Sequence, residues 1–176
     1  MLTMSPAVLT MSPDVTVIVK VTNACDMKCS YCFIEPSVFH KTMRDETARR
    51  VVHAFLDSDY FRSVNFVWHG GEPLLRGRRF FERVFEEQRS CATTVAFTNA
   101  TQTNATHLDD DMLDFLLAND VGIGLSLDGP MPLNDGSRRS RRRLPMLADG
   151  DGAGGGCSDQ GGCGTNQGFS AHETTV

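Results

Sequence analysis

Between residues 44 and 57 the apolar side chains Ala48, Val51, Val52, Phe55 and Leu56 recur every three or four positions, which marks one face of an amphipathic helix. Two β-branched runs of strand length flank it, VTVIVKV at 15–21 and VNFVW at 64–68. HGGEPLL breaks the second run with two glycines and a proline, and a second helix follows that carries Phe80, Phe81, Val84 and Phe85. A third cycle has ATTVAFTNATQ, 92–102, as its strand and Asp109 to Ala118 as its helix, with acidic residues in the first turn where the macrodipole favours them. Asn119 is the expected left-handed C-terminal cap, and VGIGLSL, 121–127, is a fourth strand that ends at DGP. Four strands alternating with three helices predict an α/β fold with a parallel sheet, whose chemistry belongs at the C-terminal ends of the strands.

The pattern stops at both ends. LTMSP occurs twice in the first thirteen residues, so 1–14 reads as a disordered leader or as the product of a translation start placed ahead of Met4 or Met11. After about Leu133 no periodic apolar face survives: RRSRRR, 138–143, is a solvated basic run, and 141–176 reads as a disordered, glycine-rich tail. The 176 residues thus hold one domain, over 15–140. A net charge of −5 argues against nucleic acid as a partner. No apolar run approaches the roughly 20 residues of a membrane helix and no secretory signal opens the chain, so the expectation is a cytoplasmic protein without a membrane partner.

In a reducing compartment clustered cysteines are more often metal ligands than disulfides. Cys25, Cys29 and Cys32 stand within eight residues as C-x3-C-x2-C, immediately after the first strand. Thiolates are soft ligands suited to zinc, copper(I) or iron–sulfur clusters. Structural zinc commonly takes four ligands in two pairs, and no second C-x2-C follows, although His40 is available to complete a zinc knuckle. Three thiolates on a [4Fe–4S] cluster leave one iron open to a substrate or cofactor. Cys91 reads as a buried thiol opening the third strand, and Cys157 and Cys163 lie in the tail without a folded context.

CDMKCSYC resembles the C-x3-C-x-aromatic-C signature of the radical S-adenosylmethionine (radical SAM) enzymes, with Tyr31 in the aromatic position. HGGEPLL is similar to that superfamily's GGE segment, which implies that Gly70, Gly71 and Glu72 hold the amino group of the methionine part of SAM. TQTNATHLDDDMLDFL, 101–116, and GIGLSLDGP, 122–130, resemble stretches of anaerobic sulfatase-maturating enzymes and related peptide-modifying enzymes with a SPASM domain. That resemblance implies cofactor contacts for Gln102, Asn104 and Ser126, with Asp128 beside them. NDGSR, 134–138, retains the Asp and Arg of an HDxxR-like segment, which makes Arg138 the candidate for the SAM carboxylate, a role a guanidinium fork suits.

The resemblance implies a partial (β/α) barrel of about four strands, a [4Fe–4S] cluster on Cys25, Cys29 and Cys32, and reductive cleavage of SAM to methionine and a 5′-deoxyadenosyl radical. It also implies a peptide or protein substrate and an electron donor such as flavodoxin or ferredoxin. It covers about residues 15–140, roughly four of six β/α units. The alternatives from other classes are an inactive fragment of such an enzyme and a small zinc-binding module.

Overall fold

The computed structural model describes residues 13–58 and 60–141. In chain order its elements are β1 (Asp14–Thr22), β2 (Met27–Cys29), α1 (Asp45–Leu56), β3 (Ser63–Gly70), α2 (Arg78–Ser90), β4 (Ala96–Thr103), α3 (Asp110–Ala118), β5 (Val121–Leu125), α4 (Met131–Ser137) and β6 (Arg138–Ser140). Short 3-10 turns lie at Pro36–Val38 and Pro73–Arg76. β1, β3, β4 and β5 form one sheet in that order with every pair parallel, as the alternation of strands and helices predicts. β2 and β6 form a separate antiparallel ribbon.

Alternation within the strands sorts their side chains by face. On β3, Val64, Phe66 and Trp68 are buried, and together with Val19 and Val21 of β1 they meet Ala48, Val52 and Leu56 of α1 and Phe80, Phe81, Val84 and Phe85 of α2 in one apolar core. Burying side chains of this size contributes about 1.5–3 kcal/mol each. The rings pack on one another, Phe66 stacked on Trp68 at 5.7 Å between centroids and Phe81 edge-on to Trp68 at 6.5 Å. Trp68 donates its indole N–H to Asn99 Oδ1, and Asn99 is held in turn by two hydrogen bonds with the buried Gln88 of α2. Asp109 caps α3 by accepting from the Met112 backbone N–H.

Four expectations need correcting. The third strand begins at Ala96 and not at 92, and Cys91 is the C-cap residue of α2, half-buried, so it opens no strand. Asn119 is right-handed at φ −108°; the left-handed residue is Asp120 at φ 53°, one position later, because two backbone bonds from Asn119 close the helix first. The fourth strand ends at Leu125. Within the expected span of 15–140, α4 and β6 are elements that no apolar periodicity announces, because β6 is held by pairing with β2. The expected leader and tail lie outside the described residues except for Pro13, Asp14 and Arg141, and Asp14 starts β1. Among the described residues no helix is long and apolar enough to cross a membrane.

Candidate functional site

The cysteine loop leaves β1 at the C-terminal end of the sheet and is fastened on both sides. Asn23 N–H donates to Lys41 O at 2.8 Å, and the hydroxyls of Thr22 and Thr42 meet at 2.9 Å. Cys29 lies in β2, directly opposite Arg138 of β6. Ser30 N–H donates to Ser137 O and Arg141 N–H to Asp26 O, so residues 137–141 run along the loop as a clasp. The Arg141 guanidinium also covers the Phe39 ring at 4.3 Å and donates to Met27 O.

The glycine pair answers to the same loop. Gly71 N–H donates to Thr22 O and Glu72 N–H to Ala24 O, both at 2.8 Å. A Cβ on Gly70 would sit 2.0 Å from Thr22 O, at a φ of +139° that favours glycine, and one on Gly71 would sit 2.2 Å from Ala24 O. Both glycines are therefore required by the approach of the chain's own backbone. Glu72 is fully buried, and its carboxylate accepts from the Leu74 and Asn104 backbone N–H groups and from Thr103 Oγ1. Burial pushes its pKa up against these three bonds. The carboxylate thus braces the end of β3 against the end of β4.

The remaining candidates gather along the ends of β4 and β5. Asn104 is buried and donates through Nδ2 to Asp26 Oδ1 at 3.0 Å and to Cys25 Sγ at 3.7 Å. Gln102 Nε2 donates to Ser126 Oγ at 2.9 Å, and Gly124 on β5 leaves the room that the Gln102 amide occupies, since a Cβ there would lie 2.3 Å from Gln102 Oε1. Tyr31 Oη donates to Asp128 Oδ2 at 2.7 Å and accepts from Arg138, whose Nη1 also lies 3.5 Å from Asp128 Oδ1. The Arg138 side chain is one-tenth exposed, and its Nε is a buried donor with no partner. Asn134, in the place of the expected histidine, is fully buried and accepts from the Asp128 N–H.

The residues singled out for the site lie at one end of the sheet; Cys32 is exposed, its backbone N–H donating to Cys29 O at 3.2 Å, and the others fall into three groups. Cys25, Gly70, Gly71, Glu72 and Asn104 make an inner knot, and Cys29, Tyr31, Asp128 and Arg138 an outer one, with Gln102 and Ser126 paired on the neighbouring strands. Sequence reading missed Asp26, Thr103 and Thr22. Thr103 lies inside the quoted QTN segment and Asp26 inside the cysteine motif, so both positions were signalled and only their partners were not. His69 is half-buried and turns Nδ1 toward the Gly70 N–H at 2.6 Å, and burial lowers its pKa. It is a neighbour that supports the glycine turn.

The thiols are soft donors that must lose their protons to bind a metal centre. Burial raises the pKa of Cys25 to about 11 and lifts that of Cys29 as well, with the charge of Arg138 pulling Cys29 back. Metal binding must displace these protons. Among the described residues, one group of three donor side chains has its ligand atoms all within 4.8 Å of one another, and it is not this one but His53, Asp57 and Cys91. Three soft donors and an unpartnered buried guanidinium N–H beside Cys29 fit an iron–sulfur centre that also receives an anionic ligand.

A parallel β/α sheet with a three-thiolate loop after its first strand, braced by a glycine–glycine–glutamate turn after its second, defines the class of protein. The profile of the radical SAM superfamily matches residues 19–145, most of the chain, and the chain belongs to that superfamily. It is 32% identical over 129 residues to a serine-type anaerobic sulfatase-maturating enzyme of Bacteroides thetaiotaomicron, covering 70% of this chain and 31% of that protein. It is 33% identical over 135 residues to a cysteine-type anaerobic sulfatase-maturating enzyme of Clostridium perfringens, covering 72% and 36%. The fold superposes on anSMEcpe with bound AdoMet and the Cp18Cys peptide with a TM-score of 0.69 at 32% identity, over 76% of this chain and 37% of that one. The chain spans about a third of the length of the curated relatives it matches.

Proposed function

We propose that Cys25, Cys29 and Cys32 hold a [4Fe–4S] cluster whose open iron faces a SAM site, and that the chain's chemistry is modification of a peptide or protein side chain. When bound, the cluster supplies the single electron that cleaves SAM reductively. The backbone at Gly70 and Gly71 faces the amino group of SAM's methionine part, while Glu72 acts indirectly, by holding that turn. Gln102, Asn104 and Ser126 line the cofactor from β4 and β5. Arg138 receives the SAM carboxylate through its Nε–H, with Tyr31 and Asp128 fixing the guanidinium. The electron comes from a flavodoxin- or ferredoxin-class donor.

The observation that carries this reading is Asn104, whose side chain reaches Cys25 and Asp26 while its backbone N–H binds Glu72, so that one residue joins the cysteine loop, the glycine–glutamate turn and the end of β4. A peptide substrate is supported by the sulfatase-maturating relatives and by the peptide bound in anSMEcpe. The test is anaerobic reconstitution of the 176-residue chain with iron and sulfide, reduction with dithionite, and chromatographic detection of 5′-deoxyadenosine from added SAM. The expected result is a brown protein that forms the product, and a Cys29→Ala chain that does not. A colourless protein without product would overturn the reading in favour of a noncatalytic fragment, and stoichiometric zinc with no dependence on SAM would favour the zinc module.

A further inference from the structure

We propose that His53, Asp57 and Cys91 form a second metal site, which takes one divalent ion of the zinc class at the end of the sheet opposite the cysteine loop. In each β/α unit the helix runs back against its strand, so the C-terminal turns of α1 and α2 lie beside the N-terminal edge of the sheet. His53 stands in the last turn of α1, Asp57 caps that helix, and Cys91 caps α2. The two helices thus present an imidazole, a carboxylate and a thiol to one another across their ends.

The distances suit a small ion. His53 Nδ1 lies 2.8 Å from Asp57 Oδ2 and 3.8 Å from Cys91 Sγ, and the three donor atoms all fall within 4.8 Å of one another. Ligands of a tetrahedral zinc ion, with bonds of about 2.0 to 2.3 Å, are separated by about 3.3 to 3.7 Å, and the two His53 separations lie within about 0.5 Å of that range. A nitrogen, an oxygen and a sulfur ligand together select borderline metals over magnesium or calcium. Cys91 Sγ also touches Glu87 O at 3.4 Å, which fixes its direction.

The fourth residue gives the arrangement its polarity. Glu87 Oε1 meets His53 Nε2 at 2.6 Å and Asp57 Oδ2 meets Nδ1 at 2.8 Å, and these two carboxylates, Glu87 first, raise the His53 pKa, so an ion at Nδ1 takes the place of the proton shared with Asp57 while Glu87 keeps the one on Nε2. Arg49 Nη1 lies 3.9 Å from the same oxygen and offsets part of the charge of Glu87. The alternative, a thiol activated by histidine for nucleophilic attack, is disfavoured because Asp57 sits closer than Cys91 to the very nitrogen that would take the thiol proton. An ion at this point joins α1 to α2 through side chains that otherwise meet only by hydrogen bonds, and it stabilises the folded chain by binding it in preference to the unfolded one.

The test uses the full chain with Cys25, Cys29 and Cys32 replaced by serine, so that the loop contributes no thiolate. Cobalt(II) is titrated anaerobically and the near-ultraviolet thiolate-to-cobalt charge-transfer band is followed, then displaced with zinc. The expected result is one equivalent bound with that band. The band disappears in Cys91→Ser, and binding is lost in His53→Gln, with far-ultraviolet circular dichroism unchanged in both. Glu87→Gln keeps the band and weakens zinc binding about 10- to 100-fold. A chain without the band, or a band that survives Cys91→Ser and therefore belongs to Cys157 and Cys163, overturns the site. If the serine-substituted loop prevents folding, the difference in cobalt spectrum and stoichiometry between the wild-type chain and Cys91→Ser decides the matter by the same signs.

Discussion

On the helix-covered face of the sheet Val64, Phe66 and Trp68 are at most 1% exposed, whereas Asn65, Val67 and His69, which alternate with them along β3, all keep contact with solvent. β1 repeats the contrast: Val19 and Val21 are buried, while Ile18 on the opposite face is 64% exposed. The covered face is apolar and holds the sheet to α1, α2 and α3. The bare face is mixed, and at its C-terminal end it leads to the candidate site, with Lys20 reaching over the Phe33 ring of the cysteine loop at 4.5 Å. One strand thus divides its residues between stability and chemistry by parity alone, and the ends of the strands are where the two duties meet.

The sharpest way to break the comparison is Trp68→Ala. It removes a fully buried indole together with the partner of Asn99, and about 3–5 kcal/mol of stability is expected to go with it in urea denaturation. Gly71→Ala acts at the junction of the two faces. Its Cβ meets backbone, which cannot turn aside, so a loss of about 3 kcal/mol is expected, accompanied by failure to retain iron after reconstitution; Gly77→Ala, strained at positive φ but in open space, costs about 1–3 kcal/mol and is the control that keeps its iron.

Glu72→Gln follows, at about 2 kcal/mol, because an amide has one acceptor oxygen for three donors. Its pH dependence has a definite sign. The folded pKa of Glu72 is raised by burial, so the wild type loses stability relative to the variant as pH rises from the unfolded value through the folded one. Paired denaturation curves at about pH 4 and about pH 8 check this, with the wild type comparing better at the lower pH. Ile18→Thr, on the bare face, is expected to change stability by no more than about 0.5 kcal/mol, and a larger loss would mean that this face carries packing after all.

The main sheet and its three helices were legible in the sequence because each presents apolar residues to one core, and periodicity reports that directly. The ribbon of β2 and β6 was not, since three-residue strands with Lys28, Arg139 and Ser140 among them bury nothing periodic. Helix α4 was hidden for the same reason: its one fully buried side chain, Asn134, is polar and is placed by a hydrogen bond to the Asp128 N–H. Cys91 was misplaced because Thr93, Thr94 and Val95 have strand composition yet belong to the loop that returns the chain to the sheet. At the site, motifs located the residues but not their partners. Glu72 is the clearest case: the motif places a carboxylate next to two glycines, while its bonds to Leu74, Thr103 and Asn104 have no signature along the chain. The spatial proximity of His53 to Cys91 crosses two helices and has no signature along the chain.

The clasp on the cysteine loop also sets a clock. Arg138 reaches Tyr31 across 107 residues of sequence, so during synthesis the loop emerges long before the strand that holds it. At roughly 5–20 residues per second, on the order of ten seconds pass before that strand exists. For that interval the three thiols are presented without their guanidinium neighbour and without the strand that clasps the loop.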